Sequence, residues 1–169
     1  MLLAIMLVIS LISCSSAHKE EFEWNECKVW LKRVNDTLNF ICYSKNDEIV
    51  TSKKLPWPVY RFTYGDLDGD SVPEVVVGVI KETFYWKQKD KRIFIYQLYN
   101  GQHIVPLWLG SHVASELIDF DIDRTTQPAM VHTIEKHKDS SLYEAEYYLS
   151  SFGLKFKRYI FEHTNKKHY

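Results

Sequence analysis

The sequence predicts an all-β protein assembled from two to three antiparallel four-stranded units. Three observations carry this. Aromatic residues make up 15% of the chain and hydrophobic residues 46%, and rings and β-branched side chains pack well on a pleated surface. No long window sustains a 3.6-residue apolar period, and the run Glu116–Phe120 is too short and too near Asp121 to make a helix. Finally, one order of elements occurs twice: strand, acidic loop, strand, loop, strand, tight turn, strand. It covers about 61–108 and again about 117–162, and fixed-period self-similarity marks repeat architectures.

The N-terminal segment reads as an address. Residues 2–12 are an apolar run of leader length, shorter than the roughly 20 residues that a helical anchor needs. The run ends in Leu11-Ile12-Ser13-Cys14, which resembles a bacterial lipobox, with Ile12 where that pattern prefers Ala or Ser. The resemblance implies a lipoprotein signal peptide over 1–13 and lipidation of Cys14. The protein would then be membrane-anchored in the bacterial cell envelope, facing the periplasm or the exterior. Residues 14–24 read as a polar tether, 25–163 as a single β-repeat domain, and 164–169 as a polar tail.

The first strand pair is Val29–Val34 and Thr37–Tyr43 around Asn35-Asp36, part of an incomplete unit over 27–51. If Asn35-Asp36 is the loop, Cys42 faces Val29, and Cys27 lies diagonally on the same face. A four-residue loop at Arg33–Asp36 would set Cys27 and Cys42 directly opposite. An even pair in an exported chain favours a disulfide, and two buried free thiols are the alternative.

Arg61–Tyr64 leads into an acidic loop. Glu74–Ile80 leaves it as an unbroken apolar run, the mark of a strand buried on both faces. Thr83–Lys91 is a loop. Arg92–Tyr99 and Gln102–Trp108 flank Asn100-Gly101, a strong hairpin turn. Leu117–Ile122, Ala129–Glu135, Leu142–Ser150 and Leu154–Glu162 form the second unit, joined at Asp123–Pro128, Lys136–Ser141 and Ser151-Phe152-Gly153.

A net charge of −1 argues against a nucleic-acid binder, which needs a basic face. The basic stretch Lys87–Arg92 reads as a solvated hairpin loop. None of the seven histidines sits at a zinc-helix spacing. Trp57 lies between two prolines, and Tyr85 and Trp86 sit in an aromatic loop. Such rings either stack on a ligand or pack over the end of a core.

The acidic loop places Asp66, Asp68, Asp70 and Glu74 within nine residues. Four carboxylates this close repel unless a hard cation joins them, and calcium takes six to eight oxygens. Gly69 permits the bend, and Val72 can offer its backbone carbonyl. An EF-hand would want glycine at the sixth position and glutamate at the twelfth, but Ser71 and Val77 stand there, and a β-rich run follows. The loop resembles instead the FG-GAP/VCBS calcium repeat of integrin-like β-propellers, Asp-x-Asp-x-Asp-Gly-x-x-Asp between two strands. Ser71 replaces the glycine and Glu74 the last aspartate. Aligning Asp121 with Asp66, 55 residues earlier, keeps two aspartates and the proline, but Thr125 and Ala129 replace two ligands, so the second loop is expected to be empty.

The resemblance implies propeller-type blades and one calcium site. A closed propeller needs about four or more blades, so an incomplete propeller or a sandwich is expected. The open edges admit a homodimer. The leading expectation is a binding or adhesion module for a protein or glycan. The alternatives are a structural accessory subunit of an envelope complex and a calcium-dependent hydrolase, for which no paired acid and base stand out.

Overall fold

The structure, a computed structural model, describes residues 20–82, 87–110 and 112–163. Cys14 and the 1–13 leader lie outside the described residues, as do the loop aromatics Tyr85 and Trp86 and the tail 164–169. Twelve strands form three antiparallel four-stranded sheets. The first sheet is β1 (Glu21–Trp24), β2 (Cys27–Asn35), β3 (Leu38–Lys45) and β4 (Glu48–Leu55). The second is β5 (Val59–Gly65), β6 (Glu74–Lys81), β7 (Asp90–Tyr99) and β8 (His103–Leu109). The third is β9 (Glu116–Asp123), β10 (Met130–Lys136), β11 (Leu142–Ser150) and β12 (Gly153–His163). Each sheet pairs its strands in sequence order. The sheets stack face to face in a propeller-like arrangement that does not close into a barrel.

The first unit is therefore complete. Glu21–Trp24, inside the segment read as tether, pairs with β2, and Phe22 opposite Val29 is buried. The turns at Asn25-Glu26 and Asn46-Asp47 take positive φ at both residues, as does Asn100-Gly101. That is the backbone of the tight hairpin turn, which suits the twist of the flanking strands.

Two cores hold the stack. The first joins the first sheet to one face of the second, through Val29, Ile41, Tyr43 and Leu55 against Val75, Val77, Phe94 and Tyr96. The second joins the other face of the second sheet to the third, through Val76, Ile93 and Ile95 against Phe120, Ile122, Val131 and Tyr147. Val75, Val76, Val77 and Val79 are all fully buried, so β6 is covered on both faces, as its apolar run predicts. Tyr60 reaches from the second sheet to Phe120 with ring centres 6.1 Å apart, and Arg61 holds Asp119 through Nε at 2.9 Å.

Cys27 and Cys42 are free thiols, which corrects the expectation that they share a face. A register shift between Arg33 and Asn35 pairs Trp30 with Cys42 and Val29 with Tyr43. One step of register moves a side chain to the opposite face. Cys27 points into the first core, its Sγ 3.1 Å from the Tyr43 hydroxyl, and Cys42 points away from it. Trp57 packs edge-on against Phe94 at 5.4 Å, with Lys81 Nζ 4.4 Å from its ring. It caps the end of the first core.

Candidate metal centre

The acidic loop joins β5 to β6 at the junction with the third sheet. Its backbone turns through left-handed φ at Gly69 (86°) and Ser71 (71°), the second being the position where the calcium-repeat pattern carries glycine. The aspartates shape the loop. Asp66 accepts from the Gly69 amide at 2.7 Å and the Ser71 amide at 3.1 Å. Asp68 accepts from the Asp70 amide at 3.1 Å, and Asp70 from the Val72 amide at 2.7 Å. A left-handed φ costs a side-chain-bearing residue about 1–2 kcal/mol. Ser71→Gly is therefore expected to stabilise the protein by about 0.5–1 kcal/mol after the extra unfolded-state freedom of glycine, read as a higher melting temperature.

Of the residues singled out by sequence, Asp66, Asp68 and Glu74 each bring one carboxylate oxygen within 4.8 Å of the others. Asp70 stands beside this group but uses an oxygen on Val72, and the Val72 side chain packs against the first core. Glu74 is 2% exposed and accepts from the Leu67 amide at 2.7 Å. Burial pushes its carboxyl up to about 8; the Leu67 hydrogen bond opposes this, and the charges of Asp68, Asp70 and Asp66 add to it. Asp68 is raised as well, first by burial and then by Asp70 and Asp66, against the Asp70 amide. The donors are all hard oxygens, one of them buried and held up by its neighbours' charge. That chemistry fits a divalent cation such as calcium.

The third sheet builds against this loop. The Asp66 carbonyl accepts from the Ala129 amide at 2.7 Å, and Gln127 Nε2 donates to the Asp66 carboxylate. Arg124 donates to the Tyr64 carbonyl and to Thr63 Oγ1, both at 2.8 Å, and lies 4.4 Å from the Tyr64 ring. Beside the loop is a cleft of 360 Å³ lined by Trp24, Tyr64, Asp66, Arg124 and Gln127 among others.

The degenerate second loop behaves differently. Asp121 and Asp123 fall within β9 rather than in a loop. Asp123 Oδ1 accepts from the amide and hydroxyl of Thr125 at 2.8 and 2.6 Å. Asp123, His132 and Glu146 instead form a group across β9, β10 and β11 with ligand atoms within 4.8 Å, which sequence reasoning missed because its members come from three strands. Glu146 is buried yet already paired with Lys157 and Arg158 at 3.0 Å, and its Oε1 lies 3.3 Å from His132 Nε2. Burial would raise it, but those hydrogen bonds win and take it down to about 2. This group reads as an ion network.

Comparison of the chain with protein-family models, with curated proteins and with solved structures finds no match.

Proposed function

We propose that the chain is an envelope-anchored calcium-binding repeat module that binds a protein or glycan. The observation that supports it is the convergence of the Asp66, Asp68 and Glu74 oxygens within 4.8 Å at the end of β5, where the second and third sheets meet. The lipobox-like Leu11–Cys14 supports the envelope anchor. Calcium here acts structurally: it neutralises the three carboxylates and ties the loop, whose Asp66 already holds Ala129 and Gln127 of the third sheet. The neighbouring cleft offers Trp24 and Tyr64 as apolar rings and Arg124 and Gln127 as polar groups, a mix suited to a sugar or an extended peptide.

The test is the thermal melt of residues 15–169 with calcium and with chelator, beside Asp68→Ala/Asp70→Ala. Extracellular modules bind calcium at roughly 10⁻⁴–10⁻³ M, so millimolar calcium should stabilise the wild type by about 1–3 kcal/mol. The double variant should show no calcium shift. The effect should also grow with pH. Below an ordinary glutamate value of 4.5 the Glu74 carboxyl is protonated in both folded and unfolded chains. Between 4.5 and about 8 the unfolded chain releases that proton while the metal-free fold keeps it. Metal-free stability then falls by at most about 1.4 kcal/mol per pH unit. A cation takes the proton's place, so the calcium shift should be larger at the upper end of this window than at the lower. A well-folded protein with equal melts in both buffers would reduce the segment to an acidic turn.

A further inference from the structure

The third sheet carries a second cleft, at the end far from the acidic loop. The loop meets Arg124, Gln127 and Ala129, which follow the end of β9. The second cleft opens at the start of β9 and the end of β10. It measures 680 Å³ and is lined by Ser115, Glu116, Lys136, His137, Asp139 and Tyr159 among others. That volume falls within the roughly 300–1,000 Å³ of small-ligand sites.

Its walls are held in place without a ligand. Buried Glu135 accepts from the Ser115 amide at 2.7 Å, and Tyr147, itself bonded to Glu135, accepts from the Ala114 amide at 2.9 Å. Another wall is a ring cluster. The Tyr159 ring centre lies 4.9 Å from that of Phe156 and 5.4 Å from that of Tyr143, and His137 stands 4.1 Å from Tyr143. These neighbours fix Tyr159, yet it is 45% exposed. A ring that is both fixed and wet loses little entropy when something stacks on it. His137 Nε2 is buried and has no hydrogen-bond partner among the described residues, so the cleft wall holds one polar atom whose bond is still to be made.

The charges of the cleft cancel. Glu116 and Asp139 stand with Lys136 and Lys138. Lys136 Nζ is 3.9 Å from Glu116 Oε2, too far for a hydrogen bond, and Asp139 accepts from the Ser141 amide and hydroxyl through Oδ1. A charged ligand of either sign would set part of itself beside a like charge. A purely apolar ligand would strip water from charged side chains. A neutral molecule rich in hydroxyls avoids both costs, since each hydroxyl donates and accepts, and its C–H faces suit an aromatic ring.

We propose that this cleft is a calcium-independent binding site for a short neutral saccharide, stacked on Tyr159 and hydrogen-bonded by Glu116, Lys136, His137 and Asp139. It is separate from the cleft beside the acidic loop and does not rest on the reading of that loop.

The test is calorimetric titration of the full chain in a phosphocholine detergent, which carries no sugar headgroup. Cellobiose, maltose and diacetylchitobiose are the probes, each run once in calcium and once in chelator. At least one is expected to bind with a Kd of about 1 mM or tighter, equally in both buffers. Tyr159→Ala should weaken that binding about tenfold, and Tyr159→Trp, which keeps a ring, by no more than about threefold. Glu116→Ala/Lys136→Ala removes two exposed side chains whose loss leaves the fold intact, checked by circular dichroism, and should also weaken binding about tenfold. No binding of any probe up to about 10 mM, or binding indifferent to both Tyr159→Ala and the double variant, would overturn the proposal. Binding seen only in calcium would overturn it too, and would assign the sugar to the cleft beside the acidic loop.

Discussion

Glu135→Ala is expected to lower stability by about 3–4 kcal/mol, the combined cost of several orphaned donors and a small cavity. Glu135 is fully buried in β10. Its Oε1 accepts from the Thr133 hydroxyl and the Tyr147 hydroxyl, both at 2.7 Å, and its Oε2 accepts from the Ser115 amide at 2.7 Å. Tyr147 in turn accepts from the Ala114 amide at 2.9 Å. One carboxylate therefore fastens the segment before β9 onto the second core. Alanine removes every acceptor at once. Glu135→Gln keeps an acceptor and the volume but turns an amide donor toward one of the three donors, so its cost should be about half as large. Chemical denaturation of both variants checks this, and an alanine cost below about 1 kcal/mol would show that water serves these donors equally well.

Gly78→Ala should cost about 2–3 kcal/mol through overpacking. Gly78 lies in mid-β6, opposite Ile93. A methyl group there would come within 2.5 Å of Tyr60 Cζ and 2.8 Å of two further ring carbons. The ring cannot retreat freely. It meets Phe120 of the third sheet on one side, and Lys91 Nζ lies 4.9 Å from its centre. The missing side chain at position 78 is thus the slot that lets Tyr60 bridge the second and third sheets. In a Tyr60→Leu background the same substitution should cost less than about 1 kcal/mol, since residues in contact do not add independently. Equal costs in both backgrounds would place the strain in the backbone of β6 instead.

Much of the fold was legible because its strongest signals are local. The apolar run Glu74–Ile80, the Asn100-Gly101 turn and the twofold order of elements all point to antiparallel units, and the three sheets are of that kind. Other features hid for physical reasons. β1 is four residues long, too short for an alternating pattern to stand out, and its turn at Asn25-Glu26 lacks the glycine that announces a hairpin. The face of Cys42 depended on a bulge near Arg33 that no spacing rule reveals. In β10 the parity runs against hydropathy: Val131, Thr133 and Glu135 point inward while Ile134 points out. A reader of alternation would put Ile134 in the core and Glu135 in water. The candidate metal loop was legible for the opposite reason, since its carboxylates are neighbours in sequence. Its attachment to Ala129 and Gln127 was not, because those contacts link positions some 61 to 63 residues apart.

Strand pairing in sequence order has a kinetic consequence. Every ladder bond joins consecutive strands, so each sheet can zip along an unbroken stretch of chain with small loop-closure entropy. As the polypeptide leaves the ribosome, the first sheet has all its own partners before the second is made. What it lacks is a cover for Val29, Ile41 and Tyr43, which arrives only with β6 and β7. The second sheet likewise waits for the third to cover Val76, Ile93 and Ile95. Hydrogen bonding in this protein is thus settled early and locally, and each burial step trails synthesis by one sheet. A nascent chain that stalls after β8 would carry one finished core and one bare apolar face, and that face is where a holdase chaperone would grip it.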